Sequence, residues 1–206
     1  QDINGAATEI SNELLSKLRN LAIKGPIQSV VPADTSVGRT LETALGIKIN
    51  SSKNPDYKGI ELKAFRSKRA NRKNLFTQVP DWSISKFKSS SQILDTFGYF
   101  RNEQLRLYCT VSAISINSQG LSLRMDSDLK HIIEYSNNPK YEDFAVWTLD
   151  KLHSRLNEKH KETFWIEADS ELYDGIEYFQ YKIAEHTKKP ILSQFDLLIE
   201  QGIITV

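Results

Sequence analysis

The chain has one cysteine in 206 residues. This excludes an intramolecular disulfide and any cysteine-based zinc cluster. Cys109 lies between Tyr108 and Thr110 in an apolar-leaning run and is expected to be a buried, inert strand residue. No stretch of about 18 apolar residues occurs, and the N-terminus has no charged-then-apolar export pattern, so a cytoplasmic protein without a membrane partner is expected. Neither a glycine-rich phosphate loop nor a G-x-S-x-G elbow is found, which argues against a small-molecule α/β enzyme. His131, His153 and His160 have no spacing to one another, or to a nucleophile, that suggests a zinc site or triad, and they are expected to face solvent. There is no internal repeat and no low-complexity segment. The length and the 39% apolar content fit one globular domain with a real core.

The net charge of +1 hides a division along the chain. Between Lys58 and Arg106, eleven Lys and Arg face four acids, so the remainder is acidic. Such a basic band suits a polyanion-binding face, although "RSKRANRK" alone reads equally well as a solvated loop.

Ile10, Leu14, Leu18 and Leu21 repeat at helical spacing and Gly25-Pro26 ends them, which predicts a helix over about 8–23. "SVGRTLETALGI" (36–47) predicts a second helix, with Glu42 beside its apolar side. "KGIELKAF" predicts a strand, "NLFTQV" another, and "SSSQILDTFGYF" a helix. "EQLRLYCTVSAISI" is the longest β-rich run, and "LSLRM" resembles the second arm of its hairpin. "DFAVWT" then leads into an amphipathic helix, "LDKLHSRLNEKH". "TFWIEA" and "IEYFQYKIAEH" flank a turn at Asp174-Gly175, and "ILSQFDLLIEQG" is a last helix before the strand-like "IITV". Strands interleaved with helices indicate a mixed α/β domain. Trp147 and Trp165 are read as core residues, and Trp82, next to the basic band, as packing or stacking.

The chemistry concentrates in "NPDYKGIELKAFR" (54–66). On a strand, Glu61 and Lys63 leave the same face roughly 6 to 7 Å apart. Asp56 stands at an odd offset that an unbroken strand would send to the other face, so the chain must bend, and Pro55 and Gly59 supply the means. Two converging carboxylates with room for water suit Mg²⁺. Lys63 beside them would serve phosphodiester hydrolysis by orienting water and stabilising negative charge on the phosphate. The bland alternative is a half-exposed strand with a Glu-Lys neighbour.

Pro55-Asp56 with Glu61-Leu62-Lys63 matches the PD-(D/E)XK nuclease signature. "GRTLETALGIKINSSKNPDYKGIELKAFR" (38–66) resembles, more specifically, the MvaI/BcnI family of restriction endonucleases, relatives of the mismatch-repair nicking enzyme MutH. "KETFWIEA", "EYFQYKIAEHTKKP" and "FDLLIEQGIITV" resemble the family's C-terminal half. The resemblance implies a single nuclease domain over 1–206, with a catalytic core at about 36–130 and a DNA-recognition part at about 140–206. Its fold would be a restriction-endonuclease-like α/β core with a central mixed sheet flanked by helices. Asp56 and Glu61 would be metal ligands, Lys63 the catalytic lysine and Glu42 an auxiliary group, with Mg²⁺ as cofactor. The partner would be double-stranded DNA, cut by a monomer at a short specific site. Arg66, Lys68, Arg69, Arg72 and Lys73, directly after the catalytic strand, would grip phosphates. Lys182, His186, Lys188 and Lys189 would form a second DNA-contacting surface.

The start at Gln1 without methionine, and the stop at Val206 where family chains continue, suggest a trimmed piece. A MutH-like nicking enzyme, and a non-cleaving DNA-binding module of a larger protein, are the alternatives.

Overall fold

The computed structural model describes residues 3–47, 54–68 and 72–206. In chain order the elements are α1 (Ile3–Lys24), β1 (Ile27–Gln28), α2 (Ser36–Ala44), β2 (Glu61–Arg66), α3 (Ser90–Phe97), β3 (Tyr99–Arg101) and β4 (Gln104–Arg106). There follow β5 (Leu121–Asp126), β6 (His131–Ser136), β7 (Asp143–Thr148), α4 (Leu149–His160), β8 (Glu162–Tyr173), β9 (Ile176–Lys188) and α5 (Leu192–Glu200). The chain forms two compact units, one of Gln1–Phe76 with Leu156–Pro190 and one of Thr77–Arg155 with Ile191–Val206.

The first unit is built on a four-stranded mixed sheet in the order β1-β9-β8-β2, with β2 parallel to β8 and the other pairs antiparallel. Strand alternation sorts its side chains. Leu62 pairs with Phe164 and Ala64 with Ile166, and these join Ala168, Phe179 and Tyr181 in a core against Leu14, Leu18 and Leu21 of α1 and Val37 and Leu41 of α2. Each of the large side chains buried there contributes on the order of 1.5–3 kcal/mol. The other face of β2 therefore carries Glu61, Lys63 and Phe65, alongside Thr163 and Trp165 of β8. α1 begins earlier than its apolar stripe predicts and stops at Gly25, whose φ of +89° no helix accommodates. α2 ends in the same way, with Gly46 at φ +75° donating its N–H to the Thr43 carbonyl.

The second unit holds an antiparallel sheet, β5-β6-β7, and the β3-β4 hairpin. Its core includes Leu121, Leu123, Ile132, Phe144 and Trp147, with Phe87, Phe97 and Tyr141 ringed around Phe144 or one another at centroid distances of 4.7–6.2 Å.

Several expectations are corrected here. "NLFTQV" forms no strand. Of the run from Glu103 to Ile116, only Gln104–Arg106 is a strand. Farther along, Val111 exchanges backbone hydrogen bonds with Val206 rather than with an adjacent ladder. β5 pairs with β6 across a turn at 127–130, which the sequence reading missed; the expected turn at 117–120 is also present, with the Leu123 N–H donating to the Ser112 carbonyl and the Asn117 N–H to the Leu121 carbonyl, but its first arm is not a strand. Cys109 is half-buried outside any strand, and burial raises its thiol pKa. The expected helices of "SSSQILDTF", "LDKLHSRLNEKH" and "ILSQFDLLIE" are present. So is the Asp174-Gly175 turn, with both residues at positive φ. Among the described residues no helix is long and apolar enough to cross a membrane.

Candidate active site

The bend required before Glu61 is a tight reversal. Tyr57 and Ile60 exchange N–H···O=C bonds of 2.8 Å, and Lys58 and Gly59 between them take φ of +47° and +91°. The reversal folds Asp56 back along the start of β2, where its Oδ2 accepts the Leu62 N–H at 3.0 Å. The odd offset in sequence is thereby cancelled, and Asp56 comes within electrostatic reach of Glu61.

Glu61 is only 2% exposed. Its two oxygens are held by different lysines, Oε1 by Lys63 Nζ at 3.0 Å and Oε2 by Lys159 Nζ at 2.9 Å. Lys159 comes from the last turn of α4 and also donates to the Asn54 carbonyl at 3.1 Å, just ahead of Asp56. Burial raises the pKa of Asp56, and the Glu61 charge adds to the effect; the Leu62 N–H, Lys159 and Lys63 oppose it. Glu42 on α2 is half-buried and likewise raised, by burial first and then by Asp56 and Glu61. The three carboxylates thus share one field, with more negative charge than two lysines neutralise.

Around them lies an aromatic wall that the sequence reading placed elsewhere. Trp165 is half-buried on the Lys63 face rather than in the core, and its indole N–H donates to Thr187 Oγ1 at 2.9 Å. His160 is buried, not solvent-facing. It stacks on Trp165 with ring centroids 5.5 Å apart and planes within 1°, while its nitrogens meet Thr163 Oγ1 and the Leu75 carbonyl. Burial holds its pKa below the ordinary histidine value.

A family model for the MvaI/BcnI restriction endonuclease family matches residues 15–206. The chain belongs to this family. It is accordingly a nuclease, with a restriction-endonuclease α/β fold. A solved structure described as a restriction endonuclease MvaI–cognate DNA substrate complex is similar, with a TM-score of 0.84 over 95% of this chain and 81% of that one at 21% identity. Restriction endonuclease MvaI in the absence of DNA gives a TM-score of 0.45 over 95% of this chain and 87% of that one, at 18% identity. Comparison with curated proteins finds no match.

Within this family member, the remaining expected residues do not gather at the carboxylates. Arg66 is buried on the core side of β2. Its guanidinium contacts both Glu177 oxygens at 2.6 and 2.7 Å, Ser36 Oγ at 2.7 Å and the Asp34 carbonyl at 3.0 Å, which engages most of its N–H donors. It sits at the wrong parity for the active face, five residues from Glu61. A cavity of about 680 Å³ opens beside it, bordered by Val30, Asp34 and Glu177. Lys68 and Arg72 are exposed. Lys73 lies over the Phe65 ring at 3.6 Å, and Arg69 lies outside the described residues.

The second expected surface is divided. Lys182 is the extra residue where β9 shifts register against β8, and it pairs with Asp169. His186 stacks on Phe164 at 4.3 Å, which puts it on the core side of the sheet. His186 Nε2 and Lys188 Nζ both hold Glu162 Oε1, at 2.8 and 3.3 Å. Lys189 is exposed at φ +53°.

The donor set at Asp56, Glu61 and Glu42 is hard oxygen, and it fits Mg²⁺, which typically takes one or two protein carboxylates together with waters and phosphate. Among the described residues no group of three or more His, Cys, Asp or Glu is placed to hold a metal ion, so waters and phosphate would have to complete the coordination. Burial first, and the neighbouring carboxylates after it, raise the pKa values of Asp56 and Glu42, and a bound cation would favour their charged forms.

Proposed function

We propose that this protein is a Mg²⁺-dependent endonuclease that hydrolyses phosphodiester bonds of double-stranded DNA at a short specific site, acting as a monomer that cuts the strands in separate events. The observation that carries the proposal is the Lys58-Gly59 reversal, which returns Asp56 to the face where Glu61 and Lys63 are paired. The similarity to a MvaI–DNA complex supports the choice of partner.

In this reading Asp56 and Glu61 hold the metal. When bound, Mg²⁺ supplies charge neutralisation at the scissile phosphate and a more acidic water. Lys63 releases Glu61 Oε1 and donates to the attacking water or to a phosphate oxygen, stabilising charge as it develops. Glu42 orients water at the rim of the site. Lys68, Arg72 and Lys73 grip flanking phosphates. The Lys73 contact with Phe65 is worth about 0.5–2 kcal/mol, little enough to be exchanged for a phosphate. The products would carry a 5′-phosphate and a 3′-hydroxyl.

Incubation of supercoiled plasmid with the protein in Mg²⁺ and in EDTA tests this. Discrete fragments in Mg²⁺ alone, preceded by nicked circles, are expected. Nicked product that is never linearised would favour a MutH-like enzyme, and DNA binding indifferent to Mg²⁺ without any cutting would leave a binding module.

A further inference from the structure

Lys159 is not part of the E-x-K spacing, yet its ammonium lies as close to Glu61 as that of Lys63 does. Its side chain is only 12% exposed, so the contact is not a casual surface pair. It joins two pieces of backbone that must be registered for the site to work: the Glu61 carboxylate on β2 and the Asn54 carbonyl, two residues before Asp56. Asp56 and Glu42 also lie within electrostatic reach of its ammonium, so its charge is felt by all three carboxylates. A cation at the C-terminal turn of a helix is favourable in any case, which accounts for a lysine there but not for its burial against Glu61.

Building on the proposed function, we infer that Lys159 is a positioning residue of the active site that orients Glu61, tethers the Asp56 loop, and keeps the carboxylate cluster from binding a divalent ion tightly before DNA arrives. The sign of the effect on ion binding is diagnostic. Groups that merely support metal ligands weaken metal binding by roughly 10–100-fold when removed. Lys159 repels the ion through space, so neutralising it should tighten binding, on the order of tenfold for a screened unit charge a few ångströms away. Cleavage should nevertheless slow, on the order of 10–100-fold in kcat with little change in KM, because Glu61 and the loop lose their common anchor.

The test is Mn²⁺ titration of the DNA-free protein, followed by the electron paramagnetic resonance signal of free Mn²⁺, alongside plasmid cleavage. Wild type, K159Q, K159R and D56A would be compared. Support requires K159Q to bind Mn²⁺ about tenfold tighter and cut more slowly, and K159R to return Mn²⁺ affinity to within about twofold of wild type. Should K159Q fail to fold, K159M must show the same tightening. Weaker or unchanged Mn²⁺ binding in a folded neutral variant overturns the inference. If D56A abolishes cutting and weakens Mn²⁺ binding while the Lys159 variants match wild type, only the role of Lys159 fails. If wild type neither cuts nor depends on Asp56 for Mn²⁺, the nuclease reading fails with it.

Discussion

Replacing Arg66 by methionine separates two roles for a basic residue that follows the catalytic strand. A phosphate grip would be exposed and replaceable at little cost to stability. In the structure Arg66 is 8% exposed and its fork spans both oxygens of Glu177, whose side chain retains 25% exposure. Removing one partner of a buried pair costs about 3–5 kcal/mol, and the partial exposure of Glu177 places R66M near the lower end, about 3 kcal/mol. In urea this is a midpoint lower by about 1 M for a slope of about 3 kcal/mol per M. E177L alone should also destabilise, because it strands the guanidinium, and the R66M/E177L double variant should lose less than the sum, with coupling of about 1–3 kcal/mol. The cost should depend on pH. The Arg66 hydrogen bond holds the Glu177 pKa below its ordinary value, so the stabilisation is fully present above the ordinary carboxylate range and fades as the pH falls through the folded-state value. R66M should therefore be most damaging near pH 7 and least so in acid. DNA affinity should keep its salt dependence. An unchanged urea midpoint, together with a salt slope reduced by about one, would refute the reasoning and return Arg66 to the phosphate backbone.

Glu134 on β6 is 5% exposed, and burial pushes its pKa up to about 7 from 4.5. The folded protein thus binds this proton more tightly than the unfolded chain does, and stability falls as the pH rises from about 4.5 through about 7, by about 3 kcal/mol in total. Glu134→Gln should stabilise the protein at pH 8 and change little at pH 4; urea midpoints at both values check this, and destabilisation at pH 8 would contradict it. Gly59 has φ +91° and nothing within 4 Å of an added Cβ, so Gly59→Ala meets only backbone strain, about 1–2 kcal/mol. Because that turn places Asp56, cleavage should drop by more than thermal stability does, and equal activity in the folded variant would show that the turn does not set the ligand geometry.

Much of the site was legible because it depends on short-range rules. Two-residue alternation puts Glu61 and Lys63 on one face, and a glycine three residues after Asp56 permits the left-handed turn that brings it back. The same alternation, carried three residues beyond Lys63, excludes Arg66 from that face and from the phosphate contacts expected of it. Lys159 and Trp165 could not be found this way, since Lys159 comes from α4 and Trp165 from β8, about a hundred residues along the chain from β2. The β-rich run around Cys109 misled for a related reason. Branched and aromatic residues favour a pleated surface only where a neighbour supplies the ladder, and here the neighbour at Val111 is Val206, far along the chain and outside any strand. β6 was passed over because "HIIEYS" lacks a clean alternation, both of its faces being largely covered.

In the proposed function Asp56, Glu61 and Lys63 act together on DNA. The most direct measurement is the single-turnover rate of cutting a duplex that carries the mapped site, in Mg²⁺, for wild type, D56A, E61Q and K63A, with DNA affinity measured in parallel. Losses on the order of a thousandfold or more are expected in each variant with DNA binding retained, as for groups that stabilise the transition state. Variants that cut within a few-fold of wild type would contradict that joint action.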